Sequence, residues 1–352
     1  MLMSGVDNVL EYLSAHVLTC LVPAFIIAGA IAAFVKKDAI LRYFGPFAKK
    51  YLSYSIASIS GIVLAVCSCT ILPLFAGIYK KGSGIGPAVT FLFAGPAINI
   101  LAVVYTAQVL GYDLGIARAV FAVLLSVVVG LTMAYIYRRE EAKRAQEMVE
   151  SGDTGFSVDG GTDRPLWVRL SFFGALVGIL IFGASGLDWA VKGVILAVLI
   201  GLIASIFWKY YTPDEGEEWA WETWDLTKKI FPILIAGTFV VGIIAFFLPP
   251  ETFRPYLGGN SVTSVVLASL LGTILYMPTL LEVPIIGTTF GYTSGVMGGG
   301  PALALLLSGP TASLPSLIVL YRIMGGKKTL IYTALVLVMA IIAGLIYGNL
   351  VG

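Results

Sequence analysis

The sequence predicts an all-α polytopic membrane protein, with about eight transmembrane helices plus two re-entrant helical hairpins arranged as inverted-topology repeats with broken helices. Three observations carry this reading. The chain is dominated by long apolar runs, its basic residues segregate to one side only if two of those runs turn back, and a proline-broken block occurs twice. Of 352 residues, 58% are hydrophobic and 12% are charged. A soluble domain carries roughly 25% charge, so half the usual charge is missing.

The apolar runs are Val17–Val35, Ile56–Tyr79, Ala88–Leu110, Gly115–Tyr137, Leu166–Ser185, Val191–Trp208, Ile230–Leu248, Val262–Phe290, Ala302–Tyr321 and Leu330–Tyr347. Most reach the ~20 residues needed to cross hydrocarbon as a helix. Helix is the expected form because an open sheet edge cannot be left in lipid. The N-terminus has no basic n-region and no small-residue cleavage site, so no signal peptide is expected.

Charge then sorts the runs into crossings and hairpins. If all ten cross, the 22 Lys and Arg divide 11 against 11 between the two faces. If Ile56–Tyr79 and Val262–Phe290 instead leave on the side they entered, the split becomes 19 to 3, with only Arg118, Lys192 and Arg254 opposite. Basic residues favour the cytoplasmic face, which puts both termini outside the plasma membrane. The first inverted repeat is then 1–137 with its hairpin at 55–81. The charged stretch 138–165, rich in Gly, Ser and Asp, is a partly disordered cytoplasmic linker. Residues 166–210 form an extra helical pair, and 211–352 form the second repeat with its hairpin at 262–292. Trp219, Trp221 and Trp224, set among acids, read as interfacial anchors.

Sequence landmarks support the duplication. Pro23 through Gly29 resembles Pro232 through Gly237, and the spacing from Pro87 to Gly95-Pro96 equals that from Pro301 to Gly309-Pro310. Gly-Pro pairs also occur in membrane helices without duplication, which is the competing explanation.

The breaks are where a site is expected. Pro73 and Pro284 suit the first helical position of a returning arm, where a missing N–H is harmless. Gly95-Pro96 and Gly309-Pro310 break the crossings that follow. Half-helix N-termini meeting at the midplane favour an anionic or electron-rich substrate; the lesser alternative is that the prolines are simple kinks. The substrate-binding candidates are Cys67, Ser68, Cys69, Thr70, Gly95, Pro96 and Asn99 in the first copy. In the second they are Thr279, Glu282, Gly309, Pro310 and Ser313, with Tyr276 and Thr311 nearby. Glu282 is the one carboxylate deep in an apolar run. Such residues default to function, so it is the candidate for ion or proton coupling; a structural hydrogen-bonding role is the alternative.

Cys67 and Cys69 cannot share a ligand on a helix, where residues two apart point roughly 200° apart. In an extended turn they face the same way, and soft thiolates select thiophilic species. They could also be small core residues. Cys20 reads as packing and His16 as interfacial. No phosphate loop, dinucleotide fingerprint or nucleophile triad is present, so the chain is not expected to be an enzyme, to hold a cofactor or metal, or to bind nucleic acid.

The stretches Cys67–Pro73, Gly84–Ala88 and Phe93–Asn99 resemble the YraQ/ArsP-type predicted permeases, and the resemblance runs through both halves and the linker. It implies an integral-membrane permease, with trivalent organoarsenical efflux as an activity of studied members. Gene context in some relatives implies a thioredoxin-like partner. Three readings stay open here. One is a secondary transporter of a small soft or anionic substrate. A second is a thiol-redox membrane protein cycling Cys67 and Cys69, and the third is an ion-coupled permease or channel with incidental cysteines.

Overall fold

The computed structural model describes residues 22–34, 44, 48–64, 68–80, 82–150, 165–184, 189–247, 250–275 and 279–351. Among the described residues the chain forms fifteen α-helices and no strand. In order they are α1 (Val22–Phe34), α2 (Lys50–Leu64), α3 (Ser68–Lys80), α4 (Ile85–Ala97), α5 (Ile100–Val109), α6 (Tyr112–Ile136), α7 (Arg138–Glu150), α8 (Leu166–Ala184) and α9 (Trp189–Tyr210). Then come α10 (Pro213–Phe247), α11 (Val262–Ile274), α12 (Thr279–Pro284), α13 (Gly299–Thr311), α14 (Leu314–Met324) and α15 (Gly326–Val351).

Helices α6, α9 and α15 are each long and apolar enough to cross a membrane among the described residues. Two bent helix pairs are long and apolar enough only when taken together, each as one broken span or a re-entrant turn. Helices α4 and α5 meet at 41°, and α13 and α14 at 44°. With up to five such spans, this is a multi-pass membrane protein.

The two ends of the chain share local architecture. Helix α13 starts and stops 214 positions after α4 (85 to 299, 97 to 311). The glycines that open α6 and α15, Gly111 (φ +112°) and Gly325 (φ +86°), are 214 apart as well. Both hold the left-handed backbone that glycine tolerates without strain, and so let a span turn directly into the next. Helix α2 packs on α4 and α4 on α6, while α11 packs on α13 and α13 on α15. Glycine lets the backbones touch: a Cβ on Gly130 would fall 2.8 Å from the Gly86 carbonyl oxygen, and one on Gly344 would fall 2.7 Å from that of Gly300. Small residues permit such contact where apolar packing alone gives no preference. The halves interlock crosswise. Helix α3 packs against α14, and α12 packs against α5.

Three local expectations change. Pro73 and Pro284 are not first-turn residues, because α3 begins at Ser68 and α12 at Thr279, making each proline the sixth residue. A proline there removes one intrahelical hydrogen bond without stopping the residues before it from being helical. After Pro284 the chain widens into a π turn, Ile285–Thr289, closed by Phe290 N–H donating to the Ile285 carbonyl at 3.0 Å.

The first part of the supposed linker is helix α7, held by specific partners. Ile85 N–H at the start of α4 donates to Glu141 Oε2 at 3.2 Å, and Arg144 donates to the Tyr79 carbonyl at 3.4 Å. Lys328 of α15 bonds Glu140 and, at 3.3 Å, the Tyr79 hydroxyl. Partial burial pushes the Glu141 carboxyl above its usual range, against the Ile85 N–H, Arg144 and Lys328, which pull it down. Charge without apolar period reads as disorder, but in 138–150 these side chains cap and bridge helix ends; 151–164 lie outside the described residues.

Trp219, expected from sequence as an interfacial anchor, makes specific internal contacts. Its indole N–H donates to the Ile26 carbonyl at 2.9 Å, and its ring packs among Phe34, Phe172 and Phe207. That aromatic cluster seats α8 and α9 against α1 and α10. Trp221 and Trp224 remain exposed at 62% and 59%.

Candidate functional site

Helix α4 ends on Gly95-Pro96-Ala97, and Ile98 N–H turns back to the Ala94 carbonyl at 2.9 Å. In the second half α13 ends on Gly309-Pro310-Thr311, and Ala312 N–H turns back to the Ser308 carbonyl at 3.0 Å. Each proline lacks an N–H and ends regular helix within a residue or two, so the chain bends and restarts as α5 or α14. Asn99 and Ser313 occupy the bends; both are buried. Ser313 is the N-cap residue of α14, and its hydroxyl pairs with that of Ser316 at 2.9 Å.

One side chain links these breaks across the interface between halves. Arg118, in the second turn of α6, is fully buried. Its Nε–H donates to the Ala97 carbonyl at 3.4 Å, and Nη1 donates to the Thr106 hydroxyl of α5 at 3.0 Å. Its Nη2 lies 3.5 Å from Glu282 Oε2, and Glu282 is fully buried too. The other carboxylate oxygen rests against the second break, since a Cβ on Gly309 would fall 2.7 Å from Glu282 Oε1. One arginine thus holds the end of the first broken helix and, through Glu282, touches the second.

The pair is incompletely bonded. At 3.5 Å it is an ion pair rather than a strong hydrogen bond. Arg118 Nη2 and both Glu282 oxygens have no hydrogen-bond partner among the described residues. An ion pair withdrawn from water recovers its desolvation cost only with good geometry and further hydrogen bonds. A charged pair left this open, inside a membrane bundle, is where a polar ligand would gain most.

Of the residues expected from sequence, Glu282 meets Arg118 directly and lies against Gly309, which Pro310 follows in the chain; Gly95 and Pro96 immediately precede Ala97, whose carbonyl Arg118 binds. Thr70 is buried in the first turn of α3. Ser68 and Cys69 begin α3 and Thr279 begins α12, but their side chains lie outside the described residues, as does Cys67 entirely. Arg118, its partner Thr106 and Tyr332, whose hydroxyl donates to the Thr311 carbonyl at 2.9 Å, are not among the candidates from sequence. The charge distribution in the sequence assigns Arg118 to the outer side. The available signal was that it sits inside the apolar run Gly115–Tyr137, where an arginine is as unusual as Glu282 is in its own run.

Comparisons with known proteins give a consistent family. A family model described as "Predicted permease" (ArsP_1) matches residues 2–349. The UPF0718 protein MJ0584 of Methanocaldococcus jannaschii is 41% identical over 355 residues, covering 97% of this chain and 94% of that protein. The UPF0718 protein YraQ of Escherichia coli is 22% identical over 319 residues, covering 91% and 74%. The UPF0718 protein YcgR of Bacillus subtilis is 23% identical over 124 residues, 35% of this chain and 42% of that one. No solved structure matches the chain.

Proposed function

The chain belongs to the ArsP_1 family of predicted permeases, and from that premise we propose that it is a secondary transporter moving a small soft or anionic solute between its two broken spans. The observation that carries the reading is the fully buried Arg118–Glu282 pair at the meeting of the two breaks. Intramembrane charges are costly and mark solute or ion pathways. Broken helices bordering such a point are a common secondary-transporter design.

In this proposal the chain sits in the plasma membrane with eight crossings, two hairpins entering from opposite faces and both termini outside. Residues 1–137 and 211–352 act as the inverted repeats. The 214-residue spacing of α4 and α13, and the crosswise packing of α3 on α14 and α12 on α5, favour that arrangement.

Trivalent organoarsenical efflux is the specific activity to test. Cells expressing the chain should accumulate less methylarsenite than cells without it; equal accumulation would remove this cargo. Replacing Cys67 and Cys69 together with serine should abolish the difference if the thiols meet the cargo. Retained export would assign the work to Arg118 and Glu282 and leave the cysteines to packing.

A further inference from the structure

We propose that Arg118 is an anion-binding residue of the transport site and Glu282 its resident competitor, so that a small monovalent anion binds together with one proton. This rests on the transporter reading above and names its substrate class and coupling.

The charge of Arg118 exceeds what the backbone beside it requires. Its Nε–H donates to the carbonyl of Ala97, the residue after Pro96. In the second half the residue after Pro310 is Thr311, whose carbonyl accepts from the Tyr332 hydroxyl at 2.9 Å. Arg118 and Tyr332 are 214 positions apart, as are Ala97 and Thr311. A neutral hydroxyl therefore does at one break what a guanidinium does at the other. The positive charge serves something else.

That something faces the charge at Nη2. The only group meeting it among the described residues is the Glu282 carboxylate, in a contact neither side completes with hydrogen bonds. Of the elements packed against α12, α13 and the π turn carry no titratable side chain, and α5 carries only Tyr105. Arg118 is the sole charge facing Glu282 among the described residues.

The exchange follows. An incoming anion takes Nη2 and displaces the carboxylate. A buried carboxylate without its partner is strongly disfavoured, so Glu282 takes a proton from the aqueous face to which the site is then open. The anion's negative charge and the added proton cancel, and the site's net charge is unchanged. When the anion leaves, Glu282 returns its proton to water and closes on Arg118 again.

The test uses the full-length protein in lipid nanodiscs with thiocyanate and methylarsonate as probes, read by calorimetry and infrared difference spectroscopy. At least one probe should bind the wild type. Affinity should fall about tenfold per unit rise in pH while Glu282 is ionised in the free protein, because one proton enters with each anion. A protonated-carboxyl band should appear on binding. Glu282→Gln removes the competitor, so it should bind the anion more tightly at neutral pH, without the pH slope and without the band. Arg118→Gln should lose binding, whereas Arg118→Lys should retain a weakened form of it. Absence of binding by both anions, an unchanged slope in Glu282→Gln, or wild-type affinity in Arg118→Gln would each overturn the proposal. Methylarsenite efflux measured in parallel separates the two levels: efflux without anion binding keeps the transporter and makes its cargo a neutral soft solute.

Discussion

Arg118 and Glu282 are expected to behave as a unit in stability as well as in transport. Arg118→Ala leaves a buried carboxylate unpaired, which costs about 3–5 kcal/mol. Adding Glu282→Gln should recover most of that loss, and thermal unfolding of both variants in detergent checks it. A purely additive double mutant would mean the two charges do not interact. Gly309 offers a finer probe. A methyl there would fall 2.7 Å from Glu282 Oε1 and 3.8 Å from the Gly272 backbone. Gly309→Ala should therefore move the carboxylate and impair transport while the protein still folds. Unchanged flux in vesicles would show that the carboxylate position is not critical.

Among the elements, tightness is uneven. A Cβ on Gly130 would fall 1.9 Å from Thr90 Oγ1 as well as 2.8 Å from the Gly86 carbonyl, whereas one on Gly174 meets nothing within 4 Å. Gly130→Ala should lower stability by about 1–3 kcal/mol through overpacking, and Gly174→Ala should be near neutral in the same melt. Helix α7 gives a pH effect outside the membrane. The Glu141 carboxyl holds its proton to higher pH in the native protein than in the unfolded chain. The native state thus binds more protons in the interval just above the ordinary carboxylate range, and stability falls as pH rises through it. The thermal midpoint should show that decline in the wild type and lose it in Glu141→Gln, whose amide oxygen can still accept from Ile85 N–H.

For the whole molecule, the arrangement of spans predicts labelling. In a background without Cys20, Cys67 and Cys69, single cysteines at Lys50 and Lys80 should react with a membrane-impermeant maleimide from one face. Cysteines at Tyr256 and Val296 should both react from the opposite face. Opposite sides within either pair would make that hairpin a crossing.

Composition by itself determined that the chain is a helical membrane protein, since hydrocarbon demands long apolar segments with their hydrogen bonds satisfied internally. Local sequence also exposed the two Gly-Pro breaks and Glu282, because a proline's missing N–H and a carboxylate in an apolar run are visible without a fold. The partner of Glu282 was not visible. Arg118 lies 164 positions away on another helix, and in the sequence its charge counts only toward the outer side. Helix α7 and the Trp219 contact were hidden for the same reason. Three of their partners, Ile85, Tyr79 and Ile26, offer backbone groups, which carry no residue identity to read, and the fourth, Lys328, lies far off in sequence. Only the packing of the two halves decides which polar groups meet, because in an apolar bundle the few charges are placed by long-range contacts rather than by their neighbours in sequence.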